Sequence, residues 1–365
     1  MTRYDVAIIG AGIAGASLAA EIAPHASVLL IEAEAHPGYH ATGRSAAFWQ
    51  ESYGGPMVQP LTTASGPVLA AGGFLRPRGA VYIGRAEDEA AMAAFERRYA
   101  GSGIALERIA VEALRARIPG LSPAWDRAIG EASCTDIDVG GLHQHYLAAA
   151  RKAGAVLICD SPLRAATRVA DGWRLGVGSG TRHARLLVNA AGAWADAVAG
   201  LAGARAVGIQ PYRRTIVQLA VDPPAPAGLP LVLDINGGFY FKPEAGGRLW
   251  LSPHDETPSV ACDIAPDEVD VATAIDRLGR VVDWRVERVE HRWAGLRSFS
   301  PDRLPVYGHD PLVPGFFWCA GQGGFGIQTS VAGARIAAAL LLGHAPHASV
   351  THIDPGPFAP GRFRS

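Results

Sequence analysis

The 365-residue sequence predicts an α/β fold: a Rossmann-like domain built on a parallel sheet, joined to a second, mixed α+β domain. Three features carry that expectation. An apolar strand, Tyr4 to Ile9, runs into the glycine turn Gly10-Ala11-Gly12-Ile13-Ala14-Gly15 and a small-residue helix, and a second apolar strand, Ser27 to Ile31, follows and ends in Glu32. Strand, glycine loop and helix recur near the other end, where Phe316 to Ala320 leads through Gly321-Gln322-Gly323-Gly324-Phe325-Gly326-Ile327-Gln328 into an apolar helix from Thr329 to Leu342. Between them, Ile209 to Leu251 carries extended runs rich in Val, Ile, Tyr and Phe with Gly-Gly turns.

The first stretch has the order and spacing of a dinucleotide-binding βαβ unit. Gly10 permits the tight turn, and Gly12 lets backbone N–H groups approach a pyrophosphate at the positive end of the helix. Gly15 lets helix and strand pack closely. Glu32 is placed to accept hydrogen bonds from ribose hydroxyls and to repel a 2′-phosphate. Ile13, Ala14 and Ala33 stand beside these contacts.

Further along, Phe48 to Asp126 contains a helix from Asp88 to Tyr99, Val139 to Ala153 reads as a helix, and Ala155 to Cys159 reads as a strand. Leu163 to Val169 and Trp173 to Val177 flank Asp171-Gly172, a hairpin signal, so a small β-meander is expected to cover the sheet. Leu186 to Asn189 is a further apolar strand ending in Ala190-Ala191-Gly192. The chain is therefore expected to cross repeatedly between residues 1–47, 133–206 and 297–365, which bind the cofactor, and residues 48–132 and 207–296, which bind the substrate.

Composition narrows the partner. With 33 Lys+Arg against 34 Asp+Glu the net charge is -1, which makes no electrostatic case for nucleic acid or an anionic membrane surface and points to a small molecule. The four cysteines, Cys134, Cys159, Cys262 and Cys319, have no C-x-x-C spacing, so neither a metal site nor a disulfide framework is expected, in keeping with a reducing cytoplasm. Asp5 interrupts the N-terminal apolar run, and the helix Val331 to Leu342 contains Arg335 and is too short to span a bilayer.

The second glycine loop decides between cofactors. A nicotinamide has no need of it, whereas a reduced flavin carries negative charge on its N1–C2=O edge, which a helix N-terminus stabilises.

Five stretches in order resemble the D-amino-acid oxidase family of flavoproteins, and among its members the bacterial D-amino-acid dehydrogenases of the D-arginine dehydrogenase type. They are Ile9 to Gly15, Pro37-Gly38-Tyr39-His40-Ala41-Thr42-Gly43-Arg44-Ser45-Ala46-Ala47, Val188-Asn189-Ala190-Ala191-Gly192-Ala193-Trp194, Trp293 to Arg297, and Gln322 to Gln328. The resemblance implies a glutathione-reductase-like fold and FAD. It places Thr42, Gly43, Arg44, Ser45 and Ala46 along the pyrophosphate and flavin and Val169 against the adenine. Ala191, Gly192 and Trp194, with Gly321, Gly323, Gly324, Phe325, Gly326, Ile327 and Gln328, are expected beside the cofactor.

Oxidising an α-amino acid by a flavin requires Cα held near N5, and a planar guanidinium holds the carboxylate best. By resemblance that arginine is Arg297. Tyr240 matches a family tyrosine that adds a hydroxyl to the same carboxylate, Tyr53 is expected as a lid, and Gln328 lines the site. Arg213 and Arg214 are adjacent on a strand, so at most one points inward; Arg214 is assigned to the substrate. His143, His145, Glu51 and His291 are candidate bases, but none has a distinguishing motif, and none is assigned. No acid lies in Arg78-Gly79-Ala80-Val81-Tyr82, where by resemblance relatives that take cationic substrates carry a glutamate, and Phe48 and Trp49 occupy another stretch, where those relatives carry more polar residues. Uncharged or hydrophobic D-amino acids are the expected substrates, with Phe48 at the side-chain subsite. The electron acceptor is oxygen or a quinone-like molecule. Cys319, in a buried strand, gives no reason to expect a covalent flavin. N-methylamino acids, proline and 2-hydroxy acids stay open as substrates, as does a non-catalytic dinucleotide sensor.

Overall fold

A computed structural model describes residues 3–363. Val6, Ala7, Ile8 and Ile9 are all buried, so strand β1 (Arg3–Ile9) is covered on both faces and takes the middle of a parallel sheet. It pairs with β2 (Val28–Ile31) on one side and with the strand Gly180–Asn189 on the other. Val156–Ile158 adds beyond β2, and Phe316–Ala320 pairs with Leu187 to Asn189. Helix α1 (Ile13–Ile22) connects β1 to β2, and a β-carbon on Gly15 would collide with the Gly10 carbonyl, so only glycine lets helix and strand lie this close. The helices Val139–Lys152 and Ser330–Leu342 pack with α1 on one face.

The hairpin at Asp171-Gly172 forms between Leu163–Val169 and Gly172–Val177, with Gly172 at φ 149°. The meander is not a separate cover, as expected from the sequence, but is hydrogen-bonded into the same sheet. The reason is length: Gly180–Asn189 starts six residues earlier than the apolar run, pairing Gly172–Val177 with its first half and Phe316–Ala320 with its second. Trp173 and Leu175 then pack with Ala7 and Ile9 over the second face of the sheet.

A ten-stranded mixed sheet forms the other layer. Its axis is the long antiparallel pair Gln210–Asp222 and Arg285–Phe299, followed by Arg248–Ser252, Tyr240–Glu244 and Leu231–Asp234. The earlier chain segment joins through Ala80–Gly84, parallel to Leu231–Asp234, and then Arg127–Glu131. Val217, Leu219, Phe241, Leu249 and Leu251 bury one face against Val271 and Leu278 of the helix Glu268–Gly279. At one edge Gln322 and Gly323 pair with Phe299 and Ser298, so the second glycine loop is hydrogen-bonded to the strand that carries Arg297. No helix among the described residues is long and apolar enough to cross a membrane.

Candidate active site

One cavity of about 470 Å³ runs from the first glycine turn, past the second loop, to the ten-stranded sheet. Gly10, Gly12, Ile13, Ala14, Glu32, Ala33, Thr42, Arg44, Ser45 and Ala46 line it, as do Ala191, Gly192, Trp194, Gly323, Gly324, Gly326, Ile327 and Gln328. Gly15, Gly43, Val169, Gly321 and Phe325 do not. Gly15 faces Gly10, and the Gly43 N–H donates to the Gly38 carbonyl at 2.8 Å. Val169 sits at the hairpin, paired with Gly172; it is the opposite end of that strand, with Ser161, Pro162 and Leu163, that reaches the cavity. Gly321 turns the chain at φ 72°, and Phe325 packs edge-on against Tyr53 and Phe299.

At the nucleotide end, Ala14 and Gly15 lie in the first turn of α1, where amides have no carbonyl within the helix to donate to. A β-carbon on Gly12 would meet Thr42 Oγ1 at 3.1 Å, and Thr42 Oγ1 itself accepts from the Ile13 N–H at 2.9 Å. Glu32 is 9% exposed; its Oε2 accepts from the Ala11 N–H at 2.9 Å and its Oε1 from the Glu34 N–H at 3.1 Å. Both oxygens keep lone pairs for a ribose. Open amides at a helix start, a braced carboxylate and a second glycine loop on one cavity fit FAD. Glu34, Tyr39 and His40 also line this end, unforeseen from the sequence; His40 pairs with Glu34 at 2.8 Å and packs on Trp194.

At the far end, Arg297 and Arg214 enter from paired strands, and Tyr53, Tyr240, Phe48, Ala46 and Ile216 complete the wall. The Arg297 Nη2 donates to the Tyr53 hydroxyl at 3.0 Å. Burial would push the Tyr53 phenol up, but the guanidiniums of Arg297 and Arg214 outweigh it and hold it below the ordinary tyrosine value. Burial dominates at Tyr240, which is raised, and holds the Arg297 guanidinium below the usual arginine value. Arg213, one residue away, points elsewhere and pairs with Asp270 at 2.7 Å. Gln328 lines the cavity but spends its amide on the Tyr53 carbonyl (3.0 Å) and Thr62 Oγ1 (2.9 Å), so it holds the Tyr53 turn.

Two acids escaped the sequence reading because neither sits in a motif. Glu131 is fully buried behind the Tyr53 turn and accepts from Gln50 Nε2 at 3.0 Å, the Glu51 N–H at 2.8 Å, the Ser52 N–H at 3.3 Å and the Ser52 hydroxyl. Burial raises its pKa. Glu256 accepts from Arg297 Nη1 at 2.7 Å.

The four candidate bases lie outside the cavity wall. His143 Nε2 bonds the Ala11 carbonyl at 2.8 Å, and burial lowers its pKa. His145 packs on Phe74, His291 stacks on Trp293, and Glu51 accepts from Thr63 and Ser133. The Cys319 thiol is buried in the core beside the sheet and is pushed up to about 12 by that burial.

Residues 5–340 match the family described as DAO, FAD dependent oxidoreductase. The chain is 27% identical to glycine oxidase of Geobacillus kaustophilus over 360 residues, 90% of each protein. It is 28% identical to hydrogen cyanide synthase subunit HcnC of Pseudomonas aeruginosa over 258 residues, 69% of this chain but only 59% of that one. The crystal structure of the Geobacillus glycine oxidase superimposes with a TM-score of 0.87 over the whole of both chains at 24% identity. The chain therefore belongs to the DAO family of FAD-dependent oxidoreductases, and FAD is its cofactor.

Proposed function

We propose that this flavoenzyme oxidises D-amino acids to imino acids, which water converts to 2-oxo acids and ammonia, and that it prefers uncharged or hydrophobic side chains. The observation that carries this reading is the convergence of Arg297, Arg214, Tyr53 and Tyr240 at an otherwise apolar end of the cofactor cavity. FAD, when bound, would supply a two-electron acceptor for the hydride at Cα. Arg297 holds the substrate carboxylate, with Arg214 and the two phenols adding donors around it. Ala46, Phe48 and Ile216 face the side chain and exclude water. Two guanidiniums disfavour a third cation nearby, so the amine binds in its neutral form and no protein base is required. Residues 1–47, 133–206 and 297–365 hold the cofactor in this reading, and residues 48–132 and 207–296 the substrate. Electrons leave for oxygen or a quinone-like acceptor.

Likeness to glycine oxidase over 90% of each chain favours a second reading, in which a small or N-methylated amino acid is the substrate. An anaerobic screen separates the two by the rate at which each compound bleaches the oxidised flavin absorbance. D-leucine and D-phenylalanine are expected to outpace D-arginine, glycine, sarcosine and proline. Faster bleaching by glycine or sarcosine establishes the second reading, and faster bleaching by D-arginine ends the apolar preference.

A further inference from the structure

The guanidinium assigned to the substrate is already engaged. Arg297 Nη1 donates to Glu256 Oε1 at 2.7 Å, Arg214 Nη2 lies 3.4 Å from the same oxygen, and Arg303 Nη2 reaches both carboxylate oxygens at 2.8 and 2.9 Å. The three arginines form a ladder from cavity to surface. Side-chain exposure is 7% for Arg214, 12% for Arg297 and 46% for Arg303, with Glu256 between them at 33%. Arg303 lies over the Phe299 ring, 3.8 Å from its centroid, which supports it at the outer rung.

The backbone presents Glu256 to this ladder. His254 adopts φ 56°, a left-handed conformation that a non-glycine residue holds only under constraint. Its Nδ1 bonds the Gly237 carbonyl at 2.8 Å and its ring packs edge-on against Tyr240. Asp255 is clamped by the Thr215 N–H at 2.7 Å and hydroxyl at 2.9 Å. The turn is thus held at residues 254 and 255, while the Glu256 side chain has only arginines as hydrogen-bond partners among the described residues.

We propose that Glu256 is an internal carboxylate that bridges the Arg297 anchor and Arg303 when no substrate is bound, and that a substrate carboxylate enters by taking over the Arg297 half of the bridge, leaving Glu256 on Arg303. The proposal rests on Arg297 being the carboxylate anchor. It gives Glu256 two roles. A buried guanidinium without a partner is costly, so Glu256 keeps Arg297 paired between turnovers. A ligand without a carboxylate has nothing to exchange for that pairing, so Glu256 also selects for carboxylates. Apparent affinity is then the intrinsic affinity reduced by the fraction of enzyme in which the anchor is vacant.

The test is titration of the FAD-loaded enzyme with benzoate, followed by the perturbation of flavin absorbance. Glu256→Gln is expected to bind benzoate about tenfold more tightly, and Arg303→Gln about threefold more weakly, by the population arithmetic of a competing internal ligand. In the Glu256→Gln background, Arg303→Gln is expected to have no effect, because Arg303 acts only by retaining the Glu256 carboxylate once it has left Arg297. Equal weakening by Arg303→Gln in both backgrounds overturns displacement in favour of a general field effect. Unchanged or weaker binding in Glu256→Gln, with binding abolished in Arg297→Met, overturns the role of Glu256 and leaves the anchor standing. Undiminished binding in Arg297→Met removes the anchor, and the proposal with it.

Discussion

Gly324 lies directly against the Arg297 guanidinium, and a β-carbon at that position would collide with Nη2 and Nε. The second glycine loop and the arginine proposed as the carboxylate anchor therefore share one surface, and glycine leaves the space for the guanidinium. Gly324→Ala is expected to displace Arg297 and lower kcat/KM by about 10- to 100-fold, the usual penalty for roughly an ångström of misplacement. Steady-state kinetics on enzyme with full flavin content checks it; unchanged kcat/KM means that the guanidinium can step aside.

Replacing the same arginine by lysine keeps the charge and removes the planar fork. Arg297→Lys is expected to lower kcat/KM for D-leucine by about 100-fold, from the roughly 2–5 kcal/mol carried by a buried, hydrogen-bonded charge pair. Most of the loss should appear in KM, since the carboxylate is held in the ground state as well.

Glu32, proposed to bind the ribose, also braces the first glycine turn. Glu32→Ala leaves the Ala11 and Glu34 amides without their acceptor. The expected cost is about 1–3 kcal/mol, or roughly 5- to 150-fold weaker FAD binding. Flavin fluorescence released on dilution measures it, and retention equal to the wild type would limit Glu32 to a bystander.

Glu131 holds the turn that carries Tyr53. Glu131→Ala leaves the Glu51 and Ser52 amides without an acceptor, while the Gln50 amide and the Ser52 hydroxyl keep the Tyr82 hydroxyl, and is expected to destabilise the protein by about 2–5 kcal/mol, visible in denaturant unfolding. Loss of under 1 kcal/mol would mean that water replaces the carboxylate.

His254 supplies a pH dependence with a definite sign. Burial, reinforced by Arg214 and Arg297, lowers its pKa to about 3 from the ordinary 6.5. The unfolded chain then binds the proton more readily, so this residue's contribution to stability is full above about pH 6.5 and is lost as pH falls towards 3. His254→Asn, which tolerates the left-handed backbone, is expected to flatten the decline in Tm across that window relative to wild type. Parallel Tm profiles for the two proteins would contradict it.

Tyr4 to Ile9, the glycine turn and Glu32 were legible because each is local: apolar runs mark buried strands, and Gly10 at φ 99° marks a turn that disfavours side chains. The meander shows where local reading stopped. Its hairpin was plain at Asp171-Gly172, but whether it lay over the sheet or joined it depended on how far Gly180–Asn189 extended. Val169 was misplaced along its own strand for a related reason, since alternation tells which face a residue takes and says nothing of which end meets a cavity.

The sequence by itself determined the βαβ nucleotide site, the second glycine loop and the presence of Arg297 in the run before it. Only the tertiary structure decided what surrounds that arginine. Tyr53 reaches it from 244 residues away and Glu256 from 41, and Glu256 carries no motif. The physical reason is that burial and charge pairing belong to side chains brought together by two sheets. No spacing along the chain encodes that Arg297 should fold with the Glu256 carboxylate already against it.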